Sequence, residues 1–210
     1  MVSNIAFPMS LRQQLSVKPW LAQRGVVADA SGFVETTPKV TLWVFLCVAS
    51  VLFGLFIAAY FIRMAYADWR PIPVPALLWL NTVILIGSSM ALQWAAVSSR
   101  REQSEGIRFG LYLGGGCALV FLVGQWLAWQ QLSGLGYFID SNPSNAFFYT
   151  LTALHGLHLL GGLVAWVRAL VRVRQGVEMT QLRMTLELCA IYWHFLLLVW
   201  LVLFGLLLVT

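Results

Sequence analysis

Charged side chains are scarce in this sequence of 210 residues: Asp, Glu, Lys and Arg make up 10% of it, while 60% is hydrophobic. A soluble domain carries about 25% charged residues, so the shortage excludes a soluble globular enzyme and a disordered tail. A nucleic-acid binder is excluded as well, because the 13 basic residues are scattered among apolar runs and form no basic stripe. The net charge of +5 instead indicates which side of a membrane each connection faces.

Cysteine is also rare, and its pattern excludes two kinds of scaffold. Cys47, Cys117 and Cys189 each lie deep in an apolar run, with neither CxxC spacing nor an even count. A disulfide framework and a zinc site are therefore unsupported. We interpret the three thiols as small apolar packing groups.

Long apolar runs are abundant and predict an all-α membrane protein. A membrane helix needs about 20 mostly apolar residues, and five runs satisfy this, which predicts a bundle of five transmembrane helices over 41–210. The predicted spans are 41–62, 75–97, 109–130, 147–167 and 186–209.

The first 40 residues differ in composition from the rest. Residues 1–40 are predicted to form a polar cytoplasmic segment, and they lack the continuous apolar core of a cleaved signal peptide. The stretch 11–21 mixes apolar and basic side chains. This mixture is typical of a helix lying on the membrane surface and equally of a loosely ordered tail.

The basic residues predict the direction of each span. Eleven of the 13 lie in the N-terminal segment and in the second and fourth connections, whereas only Arg63 and Arg70 lie in the first connection. Because Lys and Arg are enriched in cytoplasmic loops, this split predicts a cytoplasmic N-terminus and a C-terminus outside. An odd number of spans requires the same arrangement.

Small residues recur every fourth position in three predicted spans, a spacing that lets helix backbones approach closely in lipid. The pattern predicts packing seams and says nothing about chemistry. The residues are Ser50, Gly54 and Ala58 on the first span, Gly110 and Gly114 on the third, and Gly161, Ala165 and Ala169 on the fourth.

Ionisable residues inside the spans are few, and each is a functional candidate by default. They are His155 and His158 on the fourth span and Glu187 and His194 on the fifth. A pump, a channel or a coupled transporter normally needs buried carboxylates or a chain of titratable groups. The spans of this sequence contain one carboxylate, at a helix end. Glu187 is predicted to lie in the first turn of its helix and to pair with Arg168.

Two of these histidines are predicted to lie at similar depth. A rise of about 1.5 Å per residue places His158 and His194 near mid-membrane on adjacent antiparallel helices. This arrangement suits a haem with two histidine ligands, as in a small b-type cytochrome, or another metal site. Alternatively, the histidines hydrogen-bond neighbouring helices and hold the bundle together.

The last two spans carry motifs that resemble subunit III of the haem-copper respiratory oxidases. They read FFYTLTALHGLHLLGGL over 147–163 and ELCAIYWHFLLLVWLVLF over 187–204. Earlier spans resemble the family more weakly, through LWVFLCVASVLFGLFIAAYF, WLNTVILIGSSMALQWA and LVFLVGQWLAW. The resemblance covers about residues 40–208 and is similar to the short, five-span bacterial form of the subunit.

The resemblance implies a non-catalytic subunit of a terminal oxidase in aerobic respiration, in the bacterial plasma membrane. It implies no cofactor in this chain, with haem and copper in the partner catalytic subunits. It also implies direct packing on subunit I, association with subunit II, and a small subunit IV as a further candidate partner. Bound phospholipid is expected in a cleft between the first two helices and the rest, together with support for stability and proton uptake. No nucleic-acid partner is expected.

The resemblance suggests lipid-binding or helix-packing residues and no catalytic or metal residue. The candidates are Arg63, His155, His158, Arg168, Glu187, Trp193 and His194. Ala49, Ala128 and Leu197 stand where the family often has buried acids. These departures remove buried acids that could take part in proton handling, and they do not affect the packing role. The parent enzyme stays open between a cytochrome c oxidase, a quinol oxidase and a nitric oxide reductase with an accessory subunit of the same fold.

Overall fold

The structure is a computed structural model that describes the backbone of residues 30–209 and the side chains from Pro38 onward. The predicted surface stretch 11–21 lies outside the described residues. All regular secondary structure in the described part is α-helical. The helices are α1 (Ala30–Met64), α2 (Ala76–Arg100), α3 (Ser104–Gly134), α4 (Pro143–Arg174) and α5 (Met179–Val209).

The five predicted spans are confirmed as helices long and apolar enough to cross a membrane. The helices run past the predicted ends. Helix α1 begins at Ala30 rather than at residue 41, and α5 begins at Met179 rather than at residue 186. This extension follows from Leu182 and Leu186, which are both buried and continue the packed face of α5 toward its N-terminus.

Local sequence signals explain several helix ends. The side-chain oxygen of Asn142 accepts a hydrogen bond from the backbone N–H of Ser144 at 3.1 Å, and Pro143 occupies the first turn of α4. Both features are typical of helix starts. Gly136 and Gly176 follow α3 and α4 with φ of +87° and +65°, a left-handed conformation that suits glycine and ends a helix.

The chain divides into two compact units, Met1–Thr41 and Leu42–Thr210. Of the first unit, the structure describes only the beginning of α1. The second unit contains the rest of α1 and the other four helices, and it holds every site discussed below.

Four helices of the second unit form a closed bundle. Helix α2 packs against α3 and α5, and α4 packs against the same two helices. The glycine stripe of α3 is confirmed as a packing seam: a Cβ on Gly110 would lie 2.6 Å from the carbonyl oxygen of Ala91, and one on Gly114 would lie 2.6 Å from Cγ of Leu92. The core of the bundle is mostly leucine and alanine, with several aromatic side chains that include the fully buried Trp193.

Helix α1 is attached differently. From Leu42 to Met64, none of its Cα atoms lies within 8 Å of a Cα atom in another described helix. Aromatic side chains span the gap: the ring of Phe53 lies 5.2 Å from that of His158, and the ring of Tyr60 lies 5.6 Å from that of Phe147. Side chains, not closely apposed backbones, therefore connect α1 to the bundle.

Two expectations about α1 change accordingly. Ser50, Gly54 and Ala58 are all exposed, and no atom lies within 4 Å of a Cβ built on Gly54. The small-residue stripe of the first span is therefore not a packing seam within the second unit, and that prediction is wrong. Nor do the first two helices stand apart from the rest as a pair, since α2 belongs to the four-helix bundle and α1 alone is set off.

Adjacent glycines on α3 offer a matched test of the close packing between α3 and α4. A Cβ on Gly115 would lie 2.2 Å from the indole of Trp166, whose Nε1 donates a hydrogen bond to the carbonyl of Leu111 at 2.8 Å. Gly115→Ala should displace this ring and lower the free energy of unfolding by about 1–3 kcal/mol. No atom lies within 4 Å of a Cβ built on Gly116, so Gly116→Ala should change little. Thermal unfolding in detergent measures both, and equal losses at the two positions would contradict the packing described.

Candidate functional site

His194 lies on the face of α5 that packs against α2. Its Nδ1 is 2.6 Å from the hydroxyl of Ser89, and its Nε2 is 3.1 Å from the amide oxygen of Gln93. Because an amide oxygen only accepts, Nε2 is the donor to Gln93, and the Ser89 hydroxyl bonds the other ring nitrogen. These contacts join α5 to α2, as expected of a histidine that bonds a neighbouring helix.

His158 faces another part of the molecule. Its Nδ1 is 2.8 Å from the carbonyl oxygen of Leu154 in its own helix, and its ring lies against Phe45 and Phe53 of α1. Its ring therefore contacts α1, whereas that of His194 contacts α2. Because both ring nitrogens of His194 already bond side chains of α2, the alternative of a haem held between His158 and His194 is not supported.

His155 is fully buried between aromatic rings. Its ring centroid lies 5.9 Å from that of Phe121 and 5.3 Å from that of Trp200. Neither of its ring nitrogens has a hydrogen-bond partner from the protein, so it does not bond a neighbouring helix as His194 does. Within residues 30–209, no group of three or more His, Cys, Asp and Glu side chains is placed to hold a metal ion.

Two tryptophans of α5 donate to hydroxyls of α2. Trp193 Nε1 lies 2.8 Å from Oγ of Ser88, which in turn donates to the carbonyl of Gly114 on α3 at 2.7 Å. Further along α5, Trp200 Nε1 donates to the hydroxyl of Thr82 at 3.0 Å. Ser88 therefore joins three helices, and Thr82 joins two.

The sequence motifs predict Trp193 and His194 as candidates, but they do not identify the partners on α2 of these residues or of Trp200. Thr82, Ser88 and Ser89 were visible only as the threonine and the serine pair in WLNTVILIGSSMALQWA. Small hydroxyl residues on an otherwise apolar span are a usable signal, because in lipid they can hydrogen-bond across helices. The signal does not say which helix they face.

Glu187 pairs with Arg100 and not with the predicted Arg168. Arg100 Nε lies 2.9 Å from Oε1 of Glu187, whereas Arg168 is exposed on α4. Glu187 lies on the same side of α5 as His194. That side of α5 packs against α2, so Glu187 is within reach of Arg100. Because α5 begins at Met179, Glu187 does not lie in the first turn, and that prediction is wrong as well.

The beginning of α5 and the end of α4 make polar contacts at one end of the bundle. Arg183 donates from Nε to the carbonyl of Ser99 at 3.0 Å and forms an ion pair with Glu102 at 2.8 Å. At the same end, Arg174 lies 3.0 Å from the hydroxyl of Tyr112. These contacts hold the end of α4 against α3, and the beginning of α5 against the end of α2 and the segment that follows it.

Arg63 lies near the opposite end of the bundle, at the wall of an open pocket of about 790 Å³. Its guanidinium donates to both carboxylate oxygens of Asp68, one bond measuring 2.7 Å, and lies 4.8 Å from the ring of Tyr66. The hydrogen bond from Arg63 lowers the pKa of Asp68, which stabilises its charged form. Apolar walls complete the pocket, among them Ile62 and Phe147.

Comparison with known proteins identifies the family of this chain. The model of the family described as cytochrome c oxidase subunit III matches residues 28–209. A protein of Thermostichus vulcanus named cytochrome c oxidase subunit 3 is 33% identical over 171 residues, which cover 79% of this chain and 84% of that protein.

Other bacterial relatives give similar values. A probable cytochrome c oxidase subunit 3 of Mycobacterium bovis is 34% identical over 157 residues, covering 72% of this chain and 76% of the relative. A cytochrome c oxidase subunit 3 of Synechocystis is 32% identical over 166 residues, covering 76% and 70%. The family match takes in all five apolar helices. The chain therefore belongs to the cytochrome c oxidase subunit III family and is a multi-pass protein of the bacterial plasma membrane.

Proposed function

We propose that this chain is the non-catalytic structural subunit of a bacterial haem-copper terminal oxidase, and that it packs on subunit I and supports the stability and proton uptake of the complex. The observation that carries the proposal is that polar side chains of α5 hydrogen-bond a neighbouring helix. Trp193, Trp200 and His194 all hydrogen-bond α2. Polar side chains that join helices are expected of a structural subunit. The haem and copper would then lie in the partner subunits.

The proposed orientation has a cytoplasmic N-terminus and a C-terminus outside. Its support is the end of the bundle at which Arg183 of α5 contacts Glu102 after α2, because seven of the 13 basic residues lie in or beside the second and fourth connections. An end so rich in arginine is favoured on the cytoplasmic side. The two basic residues Arg63 and Arg70 would then lie outside.

Co-purification tests the proposal directly. A tagged chain expressed at its native level should bring down a larger haem- and copper-containing subunit in mild detergent, with subunit II and a small subunit IV as further candidates. The haem absorbance should stay with the large subunit when the tagged chain is dissociated from it. Recovery of a monodisperse chain without a haem-containing partner would contradict the proposal, and the spectrum and electron donor of the partner would distinguish a cytochrome c oxidase from a quinol oxidase or a nitric oxide reductase.

We further propose that the Arg63 pocket binds the headgroup of a zwitterionic phospholipid. Asp68 takes two of the five guanidinium N–H donors, which leaves others for a lipid phosphate. The carboxylate itself can accept from a headgroup ammonium, while Ile62 and Phe147 offer an apolar wall to an acyl chain. The neighbouring opposite charges favour a zwitterion over an anion.

Native mass spectrometry of the complex with added phosphatidylethanolamine or phosphatidylglycerol tests this pocket. Arg63→Gln should reduce retained phosphatidylethanolamine, whereas Arg70→Gln, the same change at a nearby exposed arginine outside the pocket wall, should not. Asp68→Asn removes the negative charge and should shift retention toward the anionic phosphatidylglycerol. Equal retention by the two arginine variants would count against the site.

The contacts around Ser88 provide a test of the scaffold role. Ser88→Ala leaves the buried indole N–H of Trp193 and the carbonyl of Gly114 without this partner, which should cost about 1–3 kcal/mol. The complex should therefore lose this subunit at a lower temperature, while the initial turnover of the intact complex stays unchanged. Ser50→Ala is the control, because the Ser50 hydroxyl bonds only the carbonyl of Leu46 in its own helix. An immediate loss of turnover in Ser88→Ala would argue for a catalytic role instead.

A further inference from the structure

Four buried polar side chains in the described part of the four-helix bundle have atoms without a hydrogen-bond partner from the protein. One is Asn145, whose amide nitrogen still donates to the carbonyl of Phe138, and the other three are Asn81, Gln125 and His155. In these three, the atoms are Nδ2 of Asn81, both side-chain polar atoms of Gln125, and both ring nitrogens of His155. Their residues are 1%, 5% and 0% exposed. An unpaired buried polar group is costly, and native proteins rarely keep one, so a cluster of such atoms points to a ligand.

Contacts on either side place Gln125 opposite His155. On α3, Phe121, Gln125 and Trp129 follow one another at intervals of four residues and share a face. Phe121 packs against His155 with ring centroids 5.9 Å apart, and Trp129 Nε1 donates to the hydroxyl of Thr152 at 3.1 Å. Gln125 lies between these two contacts and therefore faces the stretch of α4 from Thr152 to His155.

Asn81 reaches the same region from α2. A Cβ on Gly124, the residue before Gln125, would lie 2.1 Å from Oδ1 and 3.0 Å from Nδ2 of Asn81. The next residue, Thr82, accepts a hydrogen bond from Trp200, whose ring lies 5.3 Å from that of His155. All four bundle helices thus contribute to the surroundings of the three side chains.

The donors and acceptors of the cluster determine the ligand chemistry. Gln125 offers two donors and an acceptor, a neutral imidazole offers one of each, and the amide nitrogen of Asn81 donates. A ligand must therefore both donate and accept, and it must be small enough for a packed bundle. Ala128 is fully buried one turn from Gln125, and its small side chain takes up little space next to the Gln125 side chain.

We propose that Asn81, Gln125 and His155 form a binding site for ordered water inside the bundle. A buried water typically makes about three hydrogen bonds to polar groups that would otherwise be unsatisfied. Such water would link α2, α3 and α4 at a level where their side chains do not pair directly, and the helix packing would depend on all three side chains together.

A cryo-EM map of the intact oxidase complex, at a resolution where ordered water is visible at other buried sites of the complex, tests the proposal. The expected result is density within hydrogen-bond distance of His155 and Gln125 that no side chain accounts for. Direct hydrogen bonds between Gln125, His155 and Asn81, with no such density, would overturn it.

A double-mutant cycle measures the coupling that shared water creates. Gln125→Leu and His155→Leu should each lower the melting temperature of the complex, and the double variant should lose less than the sum, because the first change already deprives the water of a partner. Gln130→Leu is the matched control on α3, since Gln130 is exposed, and its effect should add to that of His155→Leu. Additive effects of Gln125→Leu and His155→Leu would overturn the coupling.

Discussion

The hydrocarbon of a membrane offers no hydrogen bonds, so every polar side chain within the spans needs a partner inside the protein. In this chain, that constraint is met chiefly at the seam between α2 and α5. Trp193, Trp200 and His194 on α5 bond Ser88, Thr82 and Ser89 on α2. Since Ser88 also donates to the backbone of α3, the seam extends into a third helix. The close approach of α2 and α3 at the glycines of α3 brings that backbone within reach.

The two ends and the first helix depend on weaker or more exposed contacts. Helix α1 meets the bundle through aromatic rings such as Phe53 and Tyr60, and an open pocket lies at its end beside Arg63. Arg100 pairs with Glu187 where both side chains are partly exposed, and exposed pairs contribute little to stability. Within the described residues of the second unit, the helices are therefore most closely packed in the four-helix bundle, and α1 is attached to it through side chains.

Much of the architecture follows directly from the order of residues. Apolar runs of sufficient length predict five spans wherever they occur, because the thickness of the bilayer sets the length required. The cap at Asn142 and the left-handed Gly176 are likewise local, and the glycines of α3 correctly predict a close seam. The motifs that resemble subunit III also lie in continuous stretches, so the family could be identified without coordinates.

Residue order alone determined the five spans, the family and the short set of polar candidates. The tertiary structure alone decided which candidates meet: Glu187 bonds Arg100 instead of Arg168, His158 and His194 face different helices, and the small residues around Gly54 have no helix against them. The physical reason is that helical periodicity defines the faces of each helix, whereas the neighbour of a face depends on how all the helices pack. The same packing buries Asn81, Gln125 and His155, which are far apart in sequence, with side-chain atoms that have no hydrogen-bond partner from the protein.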